Sequence, residues 1–460
     1  MIVEAIKMKT SDSVKDMTKG SLWKGILLFS IPLIFSNLLQ ILFNMSDVAV
    51  VGRFGGTIAL GAVGSTTTLV TVFTNFIIGF GSGVNIVTAH AFGRKKQGEI
   101  SNTVHTACII SFVMGIALLA VGQVEAAPVL KLLGTKSELF EGAELYLHIY
   151  FMGLPALAIY NFGSAVFSAA GDTKKPLMFL SISGALNVVL NLVFVIIFKL
   201  DVAGVAMASA ISQYVSAACI ITALMRVDGE HRLFIRKIRL YAMPAKQILL
   251  IGLPAGLQGA IFQISNLFVQ YGVNTFNATV VAGNAAAQNA DALVYDVMAA
   301  FYTASGSYIG QNYGAGNIRR VKQTYWISMF YAFAFGTLLG VSLVISGKLF
   351  LSLFTRDANV IKEGLYRLTV MGFSYGFSAF MDESISASRG IGEGLIPTVI
   401  VILGTCVFRT IWIFTVFAFF GTITSLYLLY IFSWAVTGSA EAFYFWHSLR
   451  KQQLGMGKIA

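Results

Sequence analysis

Charge is scarce in this sequence. Asp, Glu, Lys and Arg make up 12% of its 460 residues, about half the share expected of a soluble globular chain. With 56% hydrophobic residues and a mean hydropathy of +0.76, the shortage excludes a soluble domain and implies an integral membrane protein. Cysteine is rarer still: Cys108, Cys219 and Cys406 lie in apolar context without CxxC spacing, which leaves no disulfide framework or thiolate metal site and reads as packing. Short alternating segments are missing as well, which excludes an outer-membrane barrel. The chain opens without a cleavable signal pattern, since the polar stretch Met1 to Gly20 carries Lys7, Lys9, Lys15 and Lys19, so the first span is expected to stay as an anchor. No HExxH and no motif-placed Ser-His pair occurs, and the five histidines stand singly, so neither an enzyme nor a cofactor is expected.

What is present is a series of apolar runs of about 20 residues or more, the length of a membrane-spanning helix. Twelve are expected: 22–49, 57–91, 101–122, 143–169, 177–199, 203–225, 247–274, 281–309, 323–346, 364–388, 396–419 and 423–447. Lys and Arg favour the cytoplasmic side. One set of loops holds Arg94, Lys95, Lys96, Lys174, Lys175, the basic segment 226–246, Arg319, Arg320, Lys322, Arg389, Arg450 and Lys451. The opposite set holds Arg53, Lys131, Lys136, Lys199, Lys348, Arg356, Lys362 and Arg367. Both termini are therefore expected in the cytoplasm, with an inner-membrane location. The net charge of +11 follows from this bias toward an anionic lipid surface, and no aromatic-interleaved basic patch suggests nucleic acid.

The chain also repeats itself. Pro32 matches Pro254, Gly61 matches Gly283, Phe92-Gly93 matches Tyr313-Gly314, Glu141-Gly142 matches Glu363-Gly364, Met152-Gly153 matches Met371-Gly372, and Ala170-Gly171 matches Arg389-Gly390. The offset runs from 219 (Met152 to Met371) to 222 (Pro32 to Pro254). Two six-helix lobes are expected, at 21–225 and 247–448, between a cytoplasmic segment 1–20, a linker 226–246 and a tail 449–460. An even number of spans per copy makes the repeats parallel, related by an axis along the membrane normal, which suits alternating access; duplicated bundles can also build channels.

The blocks SDVAVVGRFGG, AVGSTTTLV, YNFGSAVFSAAGDTKKP, SGALNVVLNLVFV, GVAMASAISQ, GQNYGAGN, and RGIGEGLIP followed by FRTIWIFTVF occur in this order. They resemble the multidrug and toxic compound extrusion (MATE) family in its bacterial branch, over nearly the whole chain from Gly20 to Ser448. The resemblance implies a twelve-helix, two-lobe antiporter that expels organic, often cationic compounds in exchange for protons or sodium ions. Two departures stand out: Asn191 occupies a position where some members have a second acid in the fifth span, and Gln263 one where others have a glutamate in the seventh.

Within the first span, Asn37, Gln40, Asn44 and Asp47 fall at intervals of three, four and three, one helical face. A polar stripe in lipid is expected to look inward. Counting from Lys24 places Asp47 roughly 34 Å along the helix, in the outer half of the membrane. A stranded charge there costs several kcal/mol. A carboxyl whose protonation is easily tipped suits a proton carrier, and the family resemblance also points to it as the cation-coupling residue. The alternative is an interfacial aspartate paired with Arg53. Asn187 and Asn191, with Ser183, share a face of the fifth span and can bond a carboxyl, an ion or substrate, or glue helices together. Ser209, Ser212 and Ser216 read chiefly as such glue.

The second lobe carries Asp291, Asp296, Asp382, Glu383 and Arg409 within spans. A guanidinium in hydrocarbon is expected to meet Asp291, Asp382 or Glu383, and a structural ion pair of Asp382 with Arg409 is the alternative to an ion or substrate role. Asp291 and Asp382 are candidates for a second ion or substrate site, since the resemblance implies acids at both. Rival classes are a channel or receptor, and a flippase for lipid-linked oligosaccharides, whose cavities hold several basic residues. Arg409 alone favours small organic substrates, and a cavity rich in Phe and Met suits amphipathic cations. Two lobes in one chain remove the need for a dimer.

Overall fold

The computed structural model describes residues 15–96 and 98–456, and every regular element among them is helical. Lys7 and Lys9 of the N-terminal segment, and the last four residues of the tail, lie outside the described residues. Helix α1 spans Leu22–Val50 and passes through a π-helical turn, Val51–Gly55, into a sharp bend at Gly56. That glycine has φ 81°, a left-handed value that costs an L-residue and not glycine, so the chain reverses there into α2, Gly56–Arg94. Helix α3 is Glu99–Leu132. Helix α4 comes in two pieces, Ser137–Phe151 and Leu154–Ala169, bent by 44°. Helix α5 is Lys174–Ile197, with a π-helical last stretch, and α6 is Asp201–Arg226.

The second half repeats the order. Helix α7 is Ala242–Val273, α8 Ala278–Gly314, α9 Ile318–Ile345, and α10 is again in two pieces, Ala358–Gly372 and Tyr375–Gly390. Helix α11 is Leu395–Phe420 and α12 is Ile423–Met456. The two broken helices divide at Met152-Gly153 and at Phe373-Ser374, the second break directly after the matched Met371-Gly372, so the internal repeat reaches down to a local irregularity. All twelve expected spans are helices. By length and apolarity alone α8 and α10 fall short of a membrane span. They are the helices that carry Asn284, Asp291 and Asp296, and Arg367, Asp382 and Glu383.

Two compact units emerge, and neither is a continuous stretch. Unit 1 contains residues 15–16 and Phe35–Gly256; unit 2 contains Met17–Ile34 and everything from Leu257. The first thirteen residues of α1 thus belong to the second unit, whereas the sequence division assigns them to the first lobe. Leu22, Ile26, Phe29 and Leu33 lie in the core of unit 2 with Ala300, Phe301 and Tyr308, and the Tyr331 hydroxyl donates to the Trp23 carbonyl. Reciprocally, Ile248 and Ile251 of α7 lie in the core of unit 1 with Phe80, Val84 and Phe162. Gly79 and Gly83 of α2 admit α7 so closely that a Cβ on either would strike its backbone at Ala255 or Gly252.

The segment after α6 is docked on unit 1. The Phe234 N–H donates to His105 Nε2 at 3.1 Å, and the Tyr241 N–H to Thr106 Oγ1 at 3.1 Å. His231 is buried edge-on to Phe92 and Phe167. Burial, with Lys175 nearby, holds its imidazole down to about 4.

Candidate functional site

Asp47 is 9% exposed, and its partners come from α5 and α6. One carboxyl oxygen accepts the Asn191 side-chain amide, and the other accepts the Ser209 hydroxyl at 2.9 Å. The Asn191 amide also donates to Asn187 Oδ1 at 3.2 Å, and the Asn187 amide to Ser209 Oγ at 3.3 Å, which closes a ring of four side chains. The i, i+4 spacing of the asparagines stacks them on one face of α5. Close approach of α1 to α5 comes from Gly184, whose absent side chain leaves room for the Phe43 ring one turn before Asp47. No Lys or Arg pairs with Asp47 among the described residues, so the interfacial pairing with Arg53 does not form. Ser209, read from sequence as glue, is instead a direct partner of the carboxyl. Asn191 Oδ1 is buried without a partner beside it.

The rest of the expected stripe on α1 does not join this ring. Gln40 and Asn37 are half-buried and Asn44 is exposed, so burial varies along the stripe and is greatest at Asp47. Gln263 of α7 is also half-buried and takes part in none of the contacts described here.

In unit 2 the expected pairing is corrected. Asp291 is bonded by Arg367 and by the Tyr375 hydroxyl, not by Arg409. Arg367 is 1% exposed, donates to Asn284 Oδ1 at 2.6 Å, and lies over the rings of Tyr427 and Tyr430 at 5.2 and 5.6 Å. From sequence it counted as a loop cation near the start of a span. Arg409 reaches no acid: among the described residues no carboxylate lies within ion-pairing distance. Its Nε donates to Ser433 Oγ at 3.3 Å and its Nη1 to Asn266 Oδ1 at 3.2 Å, and its plane covers Phe262 and Tyr430 at 5.1 and 4.6 Å. Asp382 is half-buried with one oxygen unpartnered, within electrostatic reach of Arg389 and Arg409 but in contact with neither. Asp291 and Asp382 therefore share no partner. Glu383 is fully buried and accepts the Ser305 hydroxyl. Arg389, expected in a loop, lies in the last turn of α10 and donates to Gln258 Oε1 at 2.7 Å. Among the described residues no cluster of three His, Cys, Asp or Glu could hold a metal.

A carboxyl ringed by neutral donors on one helical bundle, and the same bundle repeated, agree with what comparison with known proteins finds. The MatE family profile matches twice, over residues 32–193 and 254–415. The chain belongs to the MatE family. MatE members are membrane transporters, and the chain is accordingly a multi-pass membrane protein of twelve helices in two lobes. It is 29% identical to the probable multidrug resistance protein YpnP of Bacillus subtilis (strain 168), covering 79% of this chain and 81% of that protein. It is 25% identical to an FAD transporter of Shewanella oneidensis (strain MR-1), over 76% of this chain and 78% of that one. Its fold matches an outward-facing multidrug resistance MATE family transporter with a TM-score of 0.88, at 21% identity, over 97% of this chain and 99% of that structure.

The two MatE matches are offset by 222 residues at both ends (254 − 32 and 415 − 193). Applied to Asn187 of α5, that offset falls on Arg409 of α11. Applied backward to Asn266 of α7, it falls on Asn44, one turn from Asp47. Ser209 and Ser433 lie on the sixth helix of each repeat. The two MatE repeats thus build polar clusters from the same three helices, one centred on a carboxyl and the other on a guanidinium.

Proposed function

We propose that the protein is a secondary active multidrug exporter that expels amphipathic, often cationic organic compounds in exchange for protons by alternating access. The observation that carries this reading is the Asp47 ring. Its donors are all neutral, so uptake of a proton is the direct way to cancel the buried charge. Asn191 Oδ1 is an acceptor without a partner, and a turn of that amide about its last torsion would offer it to the acid form of Asp47. Protonation removes the attraction for a cationic substrate, so proton and substrate compete, a negative coupling of about 1–3 kcal/mol. Relatives named as multidrug resistance proteins support the substrate class.

In this reading the protein works as a monomer in the bacterial inner membrane with both termini in the cytoplasm, the side that collects Arg94, Lys95, Lys174, Lys175, Arg319 and Arg320. Purified protein in proteoliposomes, offered ethidium with an imposed proton gradient and then with a sodium gradient, tests it. Flux driven by the proton gradient alone is the expected result. Flux that follows only sodium would overturn the proton assignment, and a current without substrate turnover would indicate a channel.

A further inference from the structure

Arg409 is a charge without a counter-charge. Its side chain is 1% exposed, and Nε and Nη1 are held by the neutral oxygens of Ser433 and Asn266, while Nη2 is buried without a partner. A buried guanidinium left so is costly unless something anionic completes it. Asp382 does not: its carboxylate lies within electrostatic reach but makes no ion pair, and its Oδ2 is also buried and unpartnered. Arg409 and Asp382 are thus a buried cation and a half-buried anion of unit 2 that each keep a vacant hydrogen-bonding position and are not bonded to each other. The cluster stands where the repeat of unit 1 builds its Asp47 ring, so the same three-helix frame serves opposite charges.

We propose that Arg409 anchors a carboxylate-binding site in unit 2, which takes amphoteric organic compounds with their carboxylate on Nη2 of Arg409 and their ammonium toward Asp382. Such a molecule carries no net charge into the lobe, since each of its ends finds its opposite. The rings of Phe262 and Tyr430, each against the guanidinium, supply aromatic surface for the body of the ligand. In the structure described here the guanidinium is enclosed, so the site opens in another state of the cycle. The π-helical turns Ile402–Val407 and Ile413–Phe417, which flank Phe408–Trp412, are the places where α11 can change register around Arg409.

This extends the exporter reading to a substrate class, and its test is a binding measurement that does not depend on transport. Purified full-length protein is titrated with a zwitterionic fluoroquinolone and with its methyl ester, which keeps the amine and loses the carboxylate. Wild type is expected to bind the acid about tenfold more tightly than the ester. In Arg409→Gln the ratio falls to about one, and in Arg409→Lys a preference for the acid remains. Equal affinity of wild type for acid and ester overturns the proposal without requiring any variant to fold, and so does an unchanged ratio in a folded Arg409→Gln. Loss of proton-driven ethidium flux in wild type would instead overturn the exporter reading and leave this result standing.

Discussion

The Phe43 ring occupies the space in which a side chain at Gly184 would begin, and this contact sets the distance between α1 and α5 one turn away from both Asp47 and Asn187. A substituent at 184 must therefore push the two helices apart or turn the ring. Gly184→Val is expected to separate Asp47 from the asparagines and to cut ethidium efflux at least tenfold at equal membrane abundance. Phe43→Ala in the same chain should recover part of it, an interaction of about 1–3 kcal/mol in a double-mutant cycle. Additive losses would show that the contact is incidental.

Asp47→Asn keeps the volume and the hydrogen bond from Ser209 but cannot exchange a proton. Proton-driven efflux should be abolished while expression and melting temperature stay close to wild type. Wild-type efflux by this variant would move coupling into the second unit.

Arg367 and Asp291 are each other's counter-charge, so removing one leaves the other uncompensated. Arg367→Met and Asp291→Asn are each expected to destabilise the purified protein by about 3 kcal/mol, with the double variant less affected than the sum. Thermal unfolding of the three proteins measures this. Additive effects would mean that Asn284, Tyr375 and the aromatic pair over Arg367 hold each partner independently.

His231 is held neutral, and the sign of its pH effect follows. Between about 4 and its ordinary 6.5 the unfolded imidazole binds a proton that the folded one refuses, so stability rises with pH across this window. The contribution is fully present above 6.5 and is lost as pH falls toward 4, to an extent of at most about 3 kcal/mol. Melting temperatures between pH 5 and 7.5 should show a slope that His231→Phe reduces. An identical slope in the variant would assign it to other groups.

The twelve helices were legible because an apolar run of span length has few other physical uses, and the repeat was legible because matched glycines and prolines keep their spacing. Asp47, Asn187 and Asn191 were legible as a set because helical periodicity aligns the asparagines and hydrocarbon penalises a lone acid. Ser209 was not, since a hydroxyl on a packed helix looks the same whether it bonds a carboxylate or a backbone carbonyl. Arg367 escaped for a different reason. Near the edge of an apolar run a cation reads as loop charge, whereas the helix begins at Ala358, six residues before the expected start of the span at 364, and so takes Arg367 into its interior. The pairing of Arg409 was misread because proximity in hydrocarbon was expected to end in contact, whereas neutral oxygens and two rings hold it short of Asp382.

The exchange of helix starts has a consequence for synthesis. Leu22, Ile26 and Phe29 leave the ribosome among the first residues of α1, yet Ala300, Phe301 and Tyr308, with which they share a core, are translated some 270 residues later. Until then the first thirteen residues of α1 have only lipid and the insertion machinery as neighbours. A gene cut in the linker would give two products, each missing a stretch of helix that its own core requires, and each complete only when the other is made.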